Sequence, residues 1–457
     1  MKKLMLIAVL LATRLLGANA DVDPNFYIYI CFGQSNMEGN AQPESIDRTG
    51  VSQRFRLLAT CNFTNPSRTK GQWYTATPPL VSPNGGLGPS DYFGRMMVEC
   101  LPENVRVGVI PVAMGGSPIE MFDKDKYQQK MNDNPSEWWV TLAKNHYGGN
   151  PYGRIIEMAK KAQEVGVIKG ILLHQGCSNN GDSNWPNMVK KIYNDMLTDL
   201  GLGTDSVPLF VGETLYQNQG GSCYAHNTQV ARMPSVIPNS YVVSSEGCPG
   251  NGNDPWHFNA WGYRVLGSRY AAEALYTLGV QPPFFLFHNY TLVAGSKASF
   301  NESTRTITYT GAALTSWTYP HFVDWSGYKY LVVKLKEPQT IDAEVWLYGA
   351  NKGVSYRDAI GDRTTVVIDL HNLKYNNKVM DPSQVYRMAF RSQQAGKIVI
   401  DDVFLSNDSE YDPTAISRLT SEPSLKGGYY DLNGRRVNEK TLKPGIYIRQ
   451  DKKVVVK

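Results

Sequence analysis

The segment 27-YIYICFGQSNMEGN-40 changes abruptly from an apolar, aromatic-rich run into a polar turn. The run is typical of a buried strand, and Gly33 allows the chain to turn sharply off its end. Ser35 therefore follows a strand end directly. A lone serine there more often closes a turn or caps a helix, and Met37 stands where a GxSxG elbow has its second glycine. Its role depends on residues elsewhere.

Residues 26 to about 280 alternate strand-like runs with helical periodicity. The runs FYIYICF, VRVGVIPV, VIKGILLH, VPLFVGE and SYVVSS predict strands, and helices are predicted near 90–101, 152–165, 185–199 and 259–278. This alternation predicts an α/β domain with a parallel sheet covered on both faces. Because ligands bind at the carboxyl ends of such strands, we expect one edge to gather the groups that close the runs, namely Ser35, Gly115, Gly116, His174, Gln175 and Glu213.

The sequence changes character after this domain. Residues 282–412 are rich in β-type runs and predict a β-sandwich, followed by a linker at 413–422 and a short β-rich tail at 423–457 with an Asn433-Gly434 turn. Aromatic residues of a sandwich belong more often to its core than to a sugar-binding surface. Both roles are open for Trp317, Tyr319, Trp325, Tyr328 and Tyr330.

The N-terminus predicts export. Residues 1–20 combine two lysines, a short apolar core and an Ala18-Asn19-Ala20 ending, which is the signal-peptide pattern, with cleavage expected before Asp21. No later segment has the ~18 apolar residues that a membrane-spanning helix needs. The net charge of +5 is dispersed along 457 residues, which does not indicate a nucleic-acid or anionic-membrane partner. We expect a secreted or surface-held protein.

The chain has six cysteines, at positions 31, 61, 100, 177, 223 and 248. Their wide spacing excludes a CxxC metal or redox motif, and no HExxH or clustered His/Asp pattern occurs, so neither a metal nor a cofactor is predicted. Export permits disulfides, and a bridge among Cys177, Cys223 and Cys248 is one prediction. Burial of each thiol as a small apolar group is the alternative.

A serine nucleophile requires a base, and the base requires an orienting group. Asp254 precedes His257 by three residues in a Gly/Pro-rich loop, so one turn delivers both to Ser35. Alternatively, Asp254 closes an Asx turn while His257 caps a helix. His174 competes for the role of base without a carboxylate nearby, and Glu213 is an alternative acid or a supporting residue.

The negative charge that develops on the carbonyl oxygen in the transition state must also be stabilised by hydrogen-bond donors. The candidates are the Ser35 N–H, an N–H of Gly115 or Gly116, and the side-chain amide of Gln175. The alternatives are glycines that serve a tight turn and a glutamine that is a satisfied loop residue. Asn36, beside the serine, is a candidate supporting residue.

Four blocks occur in order between residues 32 and 258: FGQSNMEG, VAMGGSPIE, HQGCSNN and DPWHF. Together they resemble the SGNH-hydrolase carbohydrate esterases, and most closely family 6, the acetyl xylan esterases related to sialate O-acetylesterases. The resemblance covers the predicted domain 21–281 and implies a flavodoxin-like three-layer α/β/α fold. It makes Ser35 the nucleophile, His257 the base and Asp254 its orienter. The oxyanion donors it implies are Ser35, the glycine pair and Gln175.

One position departs from the family. The third block usually reads HQGE, with a glutamate sometimes proposed as the acid of the triad, whereas Cys177 stands there. A thiol cannot orient an imidazolium as a carboxylate does, which shifts the acid role to Asp254 and makes a disulfide the expected substitute at Cys177. Downstream, 282–412 resembles a galactose-binding-type jelly roll, and 423–457 resembles the sorting domains of type IX secretion, which implies a secretion-machinery partner.

The function predicted from the sequence is serine O-deacetylation of a plant polysaccharide, acetylated xylan in particular. Sialate or another O-acetylated glycan is an alternative substrate, and lipid or thioester hydrolysis by the same triad is a third. A hypothesis of another class is a secreted glycan-binding protein with an inactive esterase domain.

Overall fold

The computed structural model describes residues 22–204, 206–281, 291–301, 304–350, 353–411, 429–430, 436–437, 442, 445–449 and 452–456. The predicted signal peptide (1–20) and linker (413–422) lie outside these residues. The chain forms two compact units, divided between Tyr270 and Ala271. The domain boundaries drawn from the sequence stay predictions.

A seven-stranded sheet forms the centre of the first unit, in the order β3-β2-β4-β1-β5-β6-β7. Neighbouring strands run parallel except β3, which pairs antiparallel with β2. The strands are β1 (Phe26–Gly33), β2 (Phe55–Leu58), β3 (Trp73–Thr75), β4 (Arg106–Ala113), β5 (Val167–His174), β6 (Leu209–Gly212) and β7 (Ser240–Val243). The predicted parallel α/β domain is confirmed.

Helices connect these strands. They are α1 (Ser35–Glu38), α2 (Ser45–Arg48), α3 (Pro89–Cys100), α4 (Tyr127–Asp133), α5 (Trp138–Tyr147), α6 (Pro151–Gln163), α7 (Trp185–Asp199), α8 (Asn227–Val230), α9 (Met233–Val236) and α10 (Ala260–Thr277). Short 3₁₀ turns lie at Ile119–Phe122, Cys177–Asn179, Gln217–Gln219, Tyr224–His226, Pro382–Gln384 and Ser409–Tyr411. Proline in the first turn of α3, α6 and α7 fixes where these helices begin, within a residue of the predicted starts.

Both faces of the sheet are covered, which explains why its central strands are apolar throughout. Along β1, Ile28 and Ile30 join a buried cluster that includes Ile155 of α6. Tyr29, which points to the other face, packs edge-on against Phe93 of α3 with ring centroids 4.8 Å apart. The middle strand therefore lies in the core, and its carboxyl end delivers Ser35 to the edge of the sheet.

The second unit contains two five-stranded antiparallel sheets, ordered β15-β12-β19-β10-β9 and β14-β13-β18-β11-β8. Phe300 and Trp317, one from each sheet, pack with ring centroids 5.1 Å apart, so the sheets form the predicted sandwich. The strands are β8 (Thr291–Ala294), β9 (Ala298–Asn301), β10 (Thr306–Tyr309), β11 (Ala313–Val323), β12 (Tyr330–Leu335), β13 (Ala343–Tyr348), β14 (Val354–Ala359), β15 (Thr365–Asp369), β18 (Val385–Ser392) and β19 (Gly396–Ser406).

Two smaller sheets complete the described chain. A two-stranded ribbon pairs β16 (Lys374–Tyr375) with β17 (Lys378–Val379). The tail forms a four-stranded antiparallel sheet, ordered β21-β20-β22-β23, from β20 (Tyr429–Tyr430), β21 (Arg436–Val437), β22 (Gly445–Arg449) and β23 (Lys452–Val456). The predicted Asn433-Gly434 turn lies outside the described residues. Within the described ranges, no helix is long and apolar enough to cross a membrane.

Candidate active site

The chain turns at Gly33 to bring Ser35 out of the sheet. Gly33 has φ +151°, and a Cβ placed on it would lie 2.1 Å from the carbonyl oxygen of His174 on the neighbouring strand. Only glycine fits that approach. The polypeptide then enters the single turn of α1, and Ser35 is its first residue.

Ser35, His257 and Asp254 form a continuous hydrogen-bonded relay. The Ser35 Oγ lies 2.9 Å from Nε2 of His257, although the two residues are far apart in sequence. On the other side of the ring, Nδ1 of His257 lies 2.9 Å from Oδ2 of Asp254. With the proton on Nδ1 donated to the carboxylate, Nε2 is free to accept the serine hydroxyl proton. The structure thus brings together the three residues that the sequence singled out.

The Asp254 carboxylate is held ionised by its donors. Oδ2 also accepts a 2.8 Å bond from Asn251 Nδ2, and Oδ1 accepts the backbone N–H groups of Trp256 (2.9 Å) and His257 (3.0 Å). Burial raises the pKa of Asp254, but the bonds from His257, Asn251 and Trp256 outweigh it and lower that pKa to about 2. Asp254 does close an Asx-type turn, as the alternative reading held, and it orients the imidazole as well.

Asn36 ties the serine turn to the histidine loop. Its Nδ2 donates to the carbonyl oxygen of Trp256 at 3.0 Å, and its Oδ1 accepts from the buried Tyr263 hydroxyl at 2.6 Å. Asn36 and Tyr263 are both buried, so the bond between their side chains is shielded from water. Asn36 therefore fixes the position of Ser35 relative to His257 without touching either functional atom. The sequence indicated a supporting role for Asn36 but gave no sign of Tyr263.

The predicted oxyanion donors fall into two groups. At the first position of α1, the Ser35 N–H has no intrahelical acceptor. Across the part of the chain that the structure describes, neither this N–H nor that of Gly116 donates a hydrogen bond. By contrast, the Gly115 N–H donates to Glu38 Oε2 at 2.7 Å. Gly116, not Gly115, is the glycine of the pair whose N–H is available.

Gln175 requires a correction as well. Its side chain is 1% exposed, and Nε2 donates to Asn179 Oδ1 (2.7 Å) and to the Ser117 carbonyl (3.3 Å). Its Oε1 accepts from Trp185 Nε1 at 2.5 Å. Because both of its side-chain N–H groups donate to protein acceptors, Gln175 has none left for a substrate oxyanion. It braces the loop after β5.

Glu38 is a site residue that the sequence reasoning missed. It follows Ser35 by three residues on α1, and its buried carboxylate accepts from Ser82 Oγ (2.8 Å) as well as from Gly115 N–H. Burial raises its pKa, partly offset by these two bonds. Glu38 fixes the strand end that carries the glycine pair. The signal available was its i+3 position on the turn that begins at the serine.

His174 and Glu213 have structural partners away from the relay. His174 is 1% exposed, its Nε2 lies 3.0 Å from the Glu213 carbonyl, and burial lowers its pKa to about 3. A buried neutral imidazole cannot serve as base to a solvent-facing serine. The Glu213 carboxylate accepts from the Tyr216 hydroxyl (3.0 and 2.9 Å) and Ser245 N–H (3.1 Å), which anchors the segment after β6.

All six cysteines are free thiols in this structure. The Cys223 Sγ lies 4.0 Å from the Cys177 carbonyl oxygen, and the interaction between the two thiols, the largest cause, raises the pKa of Cys177 and lowers that of Cys223 to about 7. Cys223 is joined to the histidine loop, because the N–H of neighbouring Ser222 donates to the Pro255 carbonyl at 3.0 Å. Cys248 is fully buried, and burial raises its pKa.

One carboxylate cluster lies outside the relay, formed by Asp123, Asp125 and Asp195. The Lys191 ammonium lies 2.7, 2.6 and 2.8 Å from these three carboxylates respectively. The cluster thus already contains a cation. Burial alone would lower the pKa of Lys191, but the hydrogen bonds to the three carboxylates outweigh burial and raise that pKa. It forms a salt-bridge network between the Ile119–Phe122 turn region and α7.

A parallel α/β domain with a Ser-His-Asp relay at its sheet edge defines a class of hydrolases that act by a serine nucleophile. The family described as "carbohydrate esterase, sialic acid-specific acetylesterase" matches residues 25–276, more than half of the chain. The chain belongs to this family. It is a carbohydrate acetylesterase, and so a carboxylic ester hydrolase, as predicted.

Several solved structures are similar in fold to this chain. A protein from Arabidopsis thaliana is 19% identical over 56% of this chain and 99% of its own, with a TM-score of 0.42. A carbohydrate acetylesterase from Xanthomonas citri is 14% identical over 81% of this chain and 80% of its own, with a TM-score of 0.38. A two-domain esterase active on acetylated mannans is 11% identical over 86% of this chain and 93% of its own, with a TM-score of 0.28. Likenesses this distant do not indicate a substrate.

Proposed function

We propose that this protein is a serine O-acetylesterase that removes acetyl groups from a plant polysaccharide, acetylated xylan in particular, through an acetyl-enzyme intermediate. The observation that carries the proposal is the unbroken relay from Ser35 Oγ through His257 to Asp254, with both bonds at 2.9 Å. This arrangement supplies a nucleophile, a base and an orienting carboxylate in the geometry that acyl transfer requires.

In the first step of the proposed mechanism, Ser35 Oγ attacks the acetyl carbonyl while His257 Nε2 takes its proton. A base so positioned contributes roughly 10²–10⁴-fold. The Asp254 carboxylate stabilises the imidazolium that forms. The free N–H groups of Ser35 and Gly116 stabilise the oxyanion, each such donor being worth about 10²–10³-fold.

The intermediate then breaks down by proton return. His257 gives its proton to the sugar oxygen, the sugar leaves as a free alcohol, and the acetyl group remains on Ser35. Water, deprotonated by His257, attacks the acetyl carbonyl and releases acetate with the serine restored. Every proton in this cycle passes through Nε2 of His257, so no second general acid or base is needed.

The choice of xylan rests on the resemblance of the four blocks to the family 6 acetyl xylan esterases. Sialate or another O-acetylated glycan is the alternative, and the family to which the chain belongs carries sialic acid-specific acetylesterase in its description. The hypothesis of a binding protein with an inactive esterase domain is less well supported, because each group of the proposed relay is present and connected.

A comparison of substrates tests the proposal. Acetate release is measured at matched acetyl concentration from acetylated xylan, acetylated pectin and O-acetyl sialic acid, with Ser35→Ala as the matched control. We expect kcat/KM for xylan to exceed the others by about tenfold, the size of a specific sugar contact. Faster release from O-acetyl sialic acid would establish the alternative substrate, and release by Ser35→Ala equal to wild type would refute the serine mechanism.

We also propose that the protein is exported after removal of residues 1–20 and reaches the cell surface through its tail at 423–457. Support comes from the signal-peptide pattern and from the resemblance of the tail to type IX sorting domains. The measurement is the N-terminal peptide of the mature protein, expected to begin at Asp21, together with the cellular location of a variant lacking 423–457. An unprocessed N-terminus, or unchanged surface location without the tail, would contradict the proposal.

A further inference from the structure

Two tryptophans of the first unit are exposed to solvent. Trp138 is 56% exposed and Trp256 is 46% exposed, whereas the other tryptophans in the described ranges are buried or half-buried. An indole is among the largest apolar surfaces that a side chain offers, and an exposed indole beside a reactive group can pack on a ligand there. The positions of these two residues therefore indicate what they are for.

Trp256 lies against the imidazole of the relay. Its ring centroid is 6.3 Å from that of His257, at an interplanar angle of 69°. Its backbone is fixed on both sides, since its N–H donates to Asp254 Oδ1 and its carbonyl accepts from Asn36. These two hydrogen bonds hold the Trp256 backbone in place, so the exposed indole lies beside His257.

Trp138 lies on the serine side of the site. It begins α5, and its neighbour Trp139 is 5% exposed and anchors that helix in the core. A Cβ placed on Gly115 would lie 3.6 Å from Trp138 Nε1 and 3.9 Å from Ser35 Cβ. The indole N–H thus borders the same small space as the reactive serine, a space that exists because residue 115 has no side chain.

The two indoles suit a sugar ring better than an acyl chain. A pyranose has apolar C–H faces that pack on an aromatic ring and a rim of hydroxyls that an indole N–H can bind. An acyl chain would require an enclosed apolar pocket, whereas both of these side chains are open to solvent. An acetyl group itself needs only the serine and the oxyanion donors, so it leaves these indoles unused.

We propose that Trp138 and Trp256 form a sugar subsite that holds the acetylated sugar ring against Ser35 and His257. This inference rests on the proposed function and deepens it, because it assigns recognition of the sugar to the α/β unit. Trp256 covers the ring on the histidine side, and Trp138 covers it on the serine side. They are specificity residues rather than members of the relay.

The experiment compares two acetyl esters in each variant. Acetate release is measured from an acetylated xylo-oligosaccharide, which has a sugar to bind, and from 4-nitrophenyl acetate, which has none. For Trp138→Ala and Trp256→Ala we expect KM for the oligosaccharide to rise about tenfold, the size of one aromatic contact. The kcat/KM for 4-nitrophenyl acetate should change far less. The ratio of kcat/KM for the oligosaccharide to kcat/KM for 4-nitrophenyl acetate should therefore fall. Trp→Phe at either position should recover part of that ratio.

Phe322→Ala is the matched control, because Phe322 is an exposed aromatic residue (44%) of the second unit. It should leave the ratio unchanged. A parallel loss on both esters in the Ala and Phe variants, or an unchanged oligosaccharide KM, overturns the subsite while leaving the proposed function intact. If wild type hydrolyses 4-nitrophenyl acetate but no acetylated oligosaccharide, both the subsite and the proposed function fail.

Discussion

In the first unit, Trp138 and Trp256 are exposed beside the reactive serine, whereas in the sandwich Trp317 and Trp325 are each 1% exposed. Tyr319 (3%) and Tyr330 (7%) are buried as well, and of the five sandwich aromatics considered from the sequence only Tyr328 is half-buried. Residue type alone therefore does not distinguish a binding surface from a core. Position beside the reactive serine, together with exposure, makes that distinction, which favours the first unit as the place where sugar is recognised.

The largest expected effect is at the relay of the first unit. Asp254→Asn keeps the shape of the loop but supplies an amide where His257 Nδ1 needs an acceptor, so kcat should fall about 10²–10⁴-fold. Steady-state kinetics on acetylated xylan measure this. A loss smaller than tenfold would indicate that Asp254 serves only the turn.

The same variant makes a prediction about pH. The pKa of Asp254 in the folded protein is about 2, below its ordinary value of 3.8, so the ionised carboxylate stabilises the fold. Its contribution, about 2 kcal/mol, should be complete above pH ~4 and vanish as the pH falls to about 2. Urea unfolding of wild type and Asp254→Asn between these values measures the difference, and a difference independent of pH would contradict the assignment.

Next in size is the cysteine pair of the first unit, for which the sandwich has no equivalent, since every cysteine precedes residue 271. We expect Cys177 and Cys223 to form a disulfide when the protein meets an oxidising thiol–disulfide couple, since the Cys223 Sγ lies 4.0 Å from the Cys177 carbonyl oxygen and the pKa of Cys223, about 7, favours its thiolate. Closing this loop should stabilise the fold by about 2–4 kcal/mol. Peptide mapping and thermal unfolding with and without reductant test this, with Cys248→Ser as control. A bridge that involves Cys248 would contradict it.

A smaller effect is expected at Asn36. Asn36→Ala removes both the bond to the Trp256 carbonyl and the acceptor of the Tyr263 hydroxyl, so the serine turn and histidine loop lose their connection. We expect kcat to fall about tenfold with KM little changed, since a misplacement near 1 Å can cost up to 10²-fold. Tyr263→Phe keeps the Trp256 bond and should cost less. Equal losses in the two variants would place the effect in the core instead.

The smallest effect on activity is expected in the sandwich. Trp317→Phe shortens a core side chain that packs on Phe300 and Phe390, so the free energy of unfolding should fall by about 1–2 kcal/mol while acetate release stays within twofold. Trp256→Phe is the counterpart, expected to affect oligosaccharide KM and leave stability nearly unchanged. If Trp317→Phe weakened substrate binding at unchanged stability, the contrast between the units would fail.

The sequence was most informative where one local rule determined the result. Gly33 predicted a turn because glycine allows the chain to turn sharply, and the structure shows that only glycine fits there against the His174 carbonyl. Asp254 with His257 predicted a shared loop because a turn brings residues three apart together. Four long helices followed from periodicity, and the structure places a proline in the first turn of three of them. The short strands β2 and β3 were missed, because Arg56 interrupts the apolar run of β2 and β3 has only three residues.

The donor assignments depended on contacts that only the fold creates. Whether Gly115 or Gly116 has a free N–H is decided by Glu38, which reaches back to accept from Gly115. Gln175 was expected to face substrate, but its side-chain amide instead donates a hydrogen bond to Asn179 and accepts one from Trp185, both later in the chain. Partners of this kind come from elements that are remote in sequence or have no motif, so spacing could not predict them.

The central claim, that Ser35 carries the acetyl group, has one direct measurement. The protein is quenched with acid during turnover of an acetylated substrate, and acetylated peptides are mapped by mass spectrometry in wild type and Ser35→Ala. We expect one acetyl group on the Ser35 hydroxyl in wild type, formed within the first turnover, and none in the variant, which should release acetate at least about 10³-fold more slowly. Acetyl on another residue, or undiminished acetate release by Ser35→Ala, would contradict it.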